Sequence, residues 1–280
     1  MSAPRTVTWF AALLLVACAG TETGNGMRLE THATIEVSLS SDRPDELLAG
    51  SDSEGVPLAI LEAAARVERI ELIFADDTPC AERFEDPASA TLGRDLAYHP
   101  HCAGDDDRSL RIDGPWTIDL LTGEATPSMR GVPLPGGVYR AAHVSFAPPR
   151  PGPPGSPGPP DSPGPPDSPG PLPTITASGT MALDGEDIPF TLALRFHGVV
   201  PFESPEGVAI SDALDTLLLE LTVDEWFSEL PISRCARAGD VPSQGGALDL
   251  ERAVGACEGL QGRIQAALAS SGRMSGRPPN

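Results

Sequence analysis

The chain has 280 residues and carries 40 Asp and Glu against 19 basic side chains, for a net charge of −21 at pH 7. All of the basic residues except histidine are arginine; there is no lysine. An acidic surface of this size excludes nucleic acid, whose phosphates need a basic face, and excludes charge-driven docking on anionic lipid. Past the N-terminal segment, no apolar run approaches the ~18 residues that a spanning helix requires.

The chain opens with Arg5 as a positive n-region, followed by an apolar stretch over residues 7–16 that is too short to span a bilayer. It ends in Leu15-Val16-Ala17-Cys18. Small or aliphatic residues just before a cysteine form the pattern of a secretory signal whose cleavage leaves a lipid-modified cysteine as the first mature residue. Residues 1–17 are therefore read as a lipoprotein signal peptide and Cys18 as the lipidation site. An ordinary secretory signal, cut near Ala17 or Ala19, is the alternative. The lipoprotein reading places the protein in a bacterial cell envelope, held to a membrane by its N-terminal lipid. Ala19 carries no acidic retention signal, so the outer membrane of a bacterium with two membranes is the expected address. Residues 18–31 are mostly small and polar and read as a tether.

From Ile35 the pattern is that of strands. Ile35, Val37 and Leu39 alternate with polar residues, and residues 40–57 read as loop. Ala and Leu dominate 58–65 behind Pro57, which suits the first turn of a short helix. Ile70, Leu72 and Phe74 then share one face, as do Trp116, Ile118 and Leu120. Val138, Arg140, Ala142, Val144 and Phe146 line the next strand. Further alternating sets cover 175–183, 190–196 and 217–223. Short alternating runs separated by Gly, Pro and Asp predict a mainly β chain, an antiparallel β-sandwich of prealbumin-like or Ig-like type, over residues 32–230.

Residues 148–173 interrupt this pattern with Gly-Pro-Pro-Asp-Ser-Pro repeated from Gly158 and from Gly164. A collagen triple helix needs Gly at every third position, and Asp161 and Asp167 occupy two of those places. The segment is read as a polyproline II loop insertion. Trp226 and Phe227 follow the last alternating set and are expected to cap the core. Residues 231–280 are expected to hold a disulfide-containing loop and a short C-terminal helix. Its apolar residues Leu250, Val254, Cys257, Leu260, Ile264 and Leu268 have helical spacing, and a frayed tail should follow from Ser270.

With Cys18 assigned to lipid, Cys80, Cys102, Cys235 and Cys257 remain. Four cysteines in an exported chain allow three pairings, of which Cys80 with Cys102 and Cys235 with Cys257 is chosen, since each pair brackets one irregular segment. Each closed loop of about twenty residues contributes roughly 3 kcal/mol in the chain-entropy model.

Val67-Glu68-Arg69-Ile70-Glu71-Leu72, then Ile118-Asp119-Leu120-Leu121-Thr122-Gly123, then Leu134-Pro135-Gly136-Gly137-Val138-Tyr139-Arg140 follow an order that resembles a known group. It is that of uncharacterised bacterial lipoproteins with a prealbumin-like (transthyretin-like) β-sandwich domain. The strand over 217–223 with Trp226-Phe227 is similar to a late strand of that group. The resemblance covers roughly residues 32–230 and implies an exported sandwich with no established chemistry. The cysteines and the proline-rich insertion depart from its pattern.

No catalytic residues emerge. There is no Gly-x-Ser-x-Gly elbow, Ser156 and Ser178 have no partner identified by spacing, and the five histidines are scattered. No cofactor is expected. The one alternative is a metal site for zinc at His99 and His101 with Cys102, or for calcium at Asp105 and Asp107 or at Asp184-Gly185-Glu186-Asp187. That alternative would make the protein an envelope metal-binding protein or metal-dependent enzyme. The leading expectation is a non-catalytic binding or structural module whose partner is an envelope protein or a glycan.

Overall fold

The computed structural model describes residues 34–41, 48–80, 100–103, 108–129, 132, 134–147, 172–210 and 216–277. Residues 31–280 belong to one compact unit. Its strands are β1 (Thr34–Ser40), β2 (Ala49–Ser51), β3 (Pro57–Phe74), β4 (Pro100–Cys102), β5 (Ser109–Asp119), β6 (Ala125–Thr126) and β7 (Gly137–Phe146). They continue with β8 (Ile175–Leu183), β9 (Glu186–Leu194), β10 (Gly198–Ile210), β11 (Thr216–Thr222), β12 (Ser243–Gln244), β13 (Ala247–Asp249) and β14 (Gly272–Arg277). Among the described residues, the helices are α1 (Val223–Phe227), α2 (Ile232–Ala238) and α3 (Leu260–Ser270).

The organising element is β3, which runs for 18 residues. Its buried side chains are Leu58 and Ile60, then Ala63, Ala65 and Val67, then Ile70, Leu72 and Phe74. The inward positions change parity twice. Each change falls at a register shift, the first between Ile60 and Glu62 against β8 and the second between Val67 and Arg69 against β5 and β7. A bulge adds one residue and bends the strand. Two bulges thus let one strand keep its apolar side inward along its whole length. The segment 58–65, expected as a helix, is the first half of this strand, because the bulge at Leu61 replaces strict alternation with a step of three.

The strands form one hydrogen-bonded network in the order β1-β11-β14-β10-β7-β3-β8-β9-β13-β12, with β5 on the other edge of β3. The expected antiparallel sheet is corrected to a mixed one, since β1 runs parallel to β11, β10 to β14 and β9 to β13. The parallel pairing of β10 with β14 follows from the insertion of β14. The consecutive strands β10 and β11 run antiparallel, but β14 lies between them, antiparallel to β11 and parallel to β10. The tail expected to fray from Ser270 is therefore an interior strand, with Met274 buried. Gly272 permits this, because a Cβ there would stand 2.2 Å from the Pro201 carbonyl oxygen. The margins of the network also meet, where the Leu39 amide donates to the Leu120 carbonyl at 2.6 Å.

The helix expected from the spacing of Leu250 to Leu268 begins at Leu260 instead. Gly255 and Gly259 hold positive φ of 62° and 84°, and the chain before them forms β13 and two 3-10 turns. Trp226 and Phe227 are fully buried on α1, and the Trp226 indole donates to Ser271 Oγ at 3.0 Å. They close the core as expected.

β7 and β8 lie end to end on the same edge of β3. Phe146 pairs with Val67, Ile175 pairs with Ala65, and the Arg66 amide donates to the Thr174 carbonyl at 2.7 Å. The proline-rich residues 148–171 lie outside the described residues, but the chain leaves and re-enters the sheet at one point of β3. Replacing residues 148–171 with a short Gly/Ser link should therefore leave the cooperative melting transition within about 3 °C of the parent, since closing a shorter loop costs less entropy. Circular dichroism melts check this; loss of a cooperative transition would show that the segment packs on the domain.

Candidate functional site

Cys80 and Cys102 stand at disulfide distance with a Cα–Cα separation of 5.7 Å, and Cys235 and Cys257 do so at 6.0 Å. These are the two pairings chosen from the sequence. Cys80 and Cys235 are fully buried. The first pair ties the end of β3 to β4, the second ties α2 to the turn before α3.

Cys18, His99, Asp105 and Asp107 lie outside the described residues. His101 is exposed on β4, with Nε2 at 3.6 Å from Asp113. Asp113 also accepts from Arg69 Nε at 2.9 Å, a hydrogen bond that heads the causes raising the Arg69 pKa above its ordinary value. His101 thus belongs to a polar outer face of β3, β4 and β5 in which Glu71 accepts from Ser109 Oγ at 2.7 Å. With its sulfur paired to Cys80, Cys102 is no thiolate ligand beside His101. Among the described residues, no group of three or more His, Cys, Asp or Glu is arranged to hold a metal ion.

The acidic run 184–187 is a hairpin tip. Leu183 pairs with Glu186, and Asp184 and Gly185 hold φ of 54° and 88°, the left-handed pair that a tight two-residue turn demands. The Asp184 carboxylate accepts from Arg237 Nε at 3.0 Å, and Arg237 also reaches Glu54 at 3.1 Å. These charges secure α2 against the hairpin.

A candidate binding surface lies elsewhere. An open groove of about 790 Å³ runs over β5, β6, β3, β8 and β9. Its floor follows the sheet register. Thr126 pairs with Thr117, Asp119 with Ala64 and Ala64 with Thr176, while Glu62 pairs with Ser178 and Ser178 with Thr191. These outward positions carry hydroxyls, alanines and acids. Leu61, set outward by the first bulge, stands at its margin with 49% of its surface exposed. Ser178 Oγ donates to Glu62 Oε2 at 3.2 Å. Asp119 Oδ1 accepts from the amides of Leu121 and Thr122 at 2.8 and 3.2 Å, which fixes that carboxylate at the wall. Among the described lining residues, Glu62, Asp119 and Glu124 are carboxylates and none is basic. Ser178, considered as a nucleophile, here stands beside a carboxylate and other hydroxyls. The sequence signal for this surface was the outward set of β8, where Thr176, Ser178 and Thr180 alternate with buried residues.

Comparison with known protein families, curated proteins and solved structures finds no match for this chain. The geometry alone therefore carries the functional reading.

Removing either pair as Cys80→Ser/Cys102→Ser or Cys235→Ser/Cys257→Ser should cost roughly 3 kcal/mol in the chain-entropy model. At about 2–4 °C per kcal/mol for a domain of this size, each double variant should melt roughly 6–12 °C below the parent. Scanning calorimetry with and without reductant checks this; parent-like melting of either variant would show that its loop is held without the staple.

Proposed function

We propose that this protein is a lipid-anchored bacterial cell-envelope protein, in the outer membrane of a host with two membranes, whose β-domain is a non-catalytic binding module. The observation that carries the binding role is the groove over β5, β6, β3, β8 and β9, with its ordered hydroxyls and carboxylates. Threonine and serine hydroxyls both donate and accept, whereas carboxylates accept only. An acidic lining without a basic residue disfavours anionic ligands, since a like charge brought into the groove is repelled and loses its water. The chemistry best matched is a neutral, hydroxyl-rich chain, that is, an envelope glycan. Its hydroxyls would donate to Glu62 and Asp119 and exchange hydrogen bonds with the threonines.

The finer fold reading, a prealbumin-like or Ig-like sandwich, is part of this proposal. The Tyr139 hydroxyl donates to the Pro135 carbonyl, four residues upstream, at 2.7 Å. A corner of this kind is a feature of Greek-key sandwiches. Tyr139 is fully buried, and it lies in the segment that resembles the prealbumin-like lipoproteins.

Two measurements test the proposal. On an array of neutral, amino and sulfated oligosaccharides, the soluble domain should bind a neutral class, and Thr176→Val/Thr191→Val should weaken binding at least tenfold while keeping the melting temperature. Preference for sulfated glycans, or binding unchanged in the double variant, would remove the groove from the function. For the anchor, wild-type protein expressed in a bacterium should incorporate labelled palmitate and partition into detergent, and Cys18→Ser should do neither. Equal labelling of the variant would overturn the lipoprotein reading.

A further inference from the structure

We infer that the groove takes its glycan across the strands, one sugar to each strand, and that the ligand is a linear, equatorially linked chain of the β-(1→4) type. This rests on the reading of the groove as a glycan site; the path and the linkage come from the sheet. The lining belongs to strands that neighbour one another in the order β6-β5-β3-β8-β9. Four strand spacings span about 19 Å. Along any one strand the lining is much shorter, covering residues 61–64 of β3, 176–178 of β8 and 191–193 of β9. Three residue steps along a strand advance by about 10 Å. The long axis of the groove is therefore transverse.

The cross-strand register sets what such a chain would meet. Asp119 pairs with Ala64, Ala64 with Thr176 and Thr176 with Ala193, so these outward side chains form one row from β5 to β9. The methyls of Ala64 and Ala193 keep this row low, and the amides of Leu121 and Thr122 hold the Asp119 carboxylate at its end. Two residues away on each strand, Glu62 pairs with Ser178 and Ser178 with Thr191, a second row with one carboxylate and two hydroxyls. On the other flank stand Thr117 and Thr126, themselves a pair. The middle row is thus a trough with hydrogen-bonding groups on both sides. A sugar laid in it would rest its C–H face on the alanine methyls and turn its equatorial hydroxyls to the flanks. There the carboxylates accept, and the serine and threonine hydroxyls both donate and accept.

The strand spacing selects the linkage. Neighbouring strands lie about 4.8 Å apart. An extended chain of equatorially linked pyranoses advances by nearly the same distance per sugar, so each ring can sit over one strand and stay in step. A chain of α-(1→4) linkages coils and leaves the trough within a few units. A ligand already straight in solution also loses less conformational freedom when it binds.

The experiment titrates the full chain, in a detergent without a sugar headgroup, with cello-oligosaccharides and N-acetylated chito-oligosaccharides of two to six units. Malto-oligosaccharides of the same lengths supply the α-linked comparison. In at least one β-(1→4) series, affinity should rise roughly threefold per sugar up to about five units and then level off, as one net hydrogen bond per strand implies. The α-linked pentasaccharide should bind roughly tenfold more weakly than its β-linked counterpart. In Ala193→Gln, which fills the β9 end of the trough, the rise should stop one sugar earlier. Amide chemical shifts give a readout that needs no variant, in case this one fails to fold. The β-linked pentasaccharide should shift Thr126, Thr117, Ala64, Thr176 and Ala193, and leave Thr180 and Ala182, farther along β8, in place. Shifts that instead follow β8 to Thr180 and Ala182 would overturn the transverse path. Binding that Thr176→Val/Thr191→Val weakens but that ignores length, or that favours the α-linked series, would overturn this inference and leave the groove as a glycan site. No binding of any neutral oligosaccharide would overturn both.

Discussion

The structure depends on one constraint, that β3 keep its apolar side inward for 18 residues while bending. A strand with strict alternation cannot both curve sharply and hold phase with different partners. Here the bulges at Leu61 and Glu68 absorb the curvature, and each flips parity once. The cost is two unpaired positions in the ladder. The gain is eight buried β3 side chains, from Leu58 to Phe74, in one continuous core. At about 1.5–3 kcal/mol for each large aliphatic or aromatic side chain buried, the gain far exceeds a ladder hydrogen bond worth about 1 kcal/mol net. The bend lets one strand give an edge to β7 and then to β8, while β2 and β5 share the other.

Around this strand, the polar interior is confined to a few fully engaged groups. Asp52, only 3% exposed, accepts from the amides of Glu54, Val56 and Ser233 at 2.9, 3.0 and 2.8 Å. A buried carboxylate is tolerated when its lone pairs are met in this way, and hydrogen bonds to a charged group contribute roughly 1.5–3 kcal/mol each. Asp52 thereby fastens α2 to the turn between β2 and β3. The Cys235–Cys257 pair fastens the other side of α2, and Arg237 bridges it to Glu54 and Asp184. With 7 residues, α2 is too short to be stable alone, and these contacts supply what its own hydrogen bonds do not.

Much of this was legible in the sequence wherever alternation held. The strand over residues 175–183 was read with the boundaries it has, because Ile175, Ala177, Gly179 and Met181 face inward without a break. The second half of β3 was legible for the same reason, and the cysteine pairs were legible because each brackets one irregular segment. In β7 the expected side holds only from Ala142, since Val138 and Arg140 are exposed while Tyr139 and Ala141 are buried, and in β11 Leu217, Leu218 and Leu219 are all buried. The reading failed where two elements shared one stretch of chain. Steps of three at the bulges gave 58–65 the look of a helix. β10 went unseen because Pro201, Pro205 and Gly207 interrupt its strand pattern, yet a register shift between Glu203 and Val208 takes up Pro205 and Gly207 and leaves Val200, Phe202, Val208 and Ile210 buried. β14 was invisible for a third reason. Gly-Arg-Met-Ser-Gly-Arg has one large apolar residue, and its place is set by the gap between β10 and β11, not by a local preference. Parallel pairings such as β1 with β11 join residues far apart in the chain, which no local window registers.

The groove stayed hidden because its signal is the face that a search for a core discards. In β8 the inward residues announce the strand, while Thr176, Ser178 and Thr180 look like ordinary solvent-facing positions. Ala64 of β3 pairs with Thr176 on one edge and with Asp119 on the other, which places that face beside Thr117 and Thr126 of β5 and β6. The bulge that produces the bend also turns Leu61 outward and sets Glu62 opposite Ser178. The residue inserted to keep the core in phase is thus the one that shapes the margin of the groove. Restoring strict alternation around Leu61 would shift the register of β3 against β8 and break the pairing of Glu62 with Ser178. Core packing and the candidate binding surface are therefore two consequences of a single irregularity in one strand.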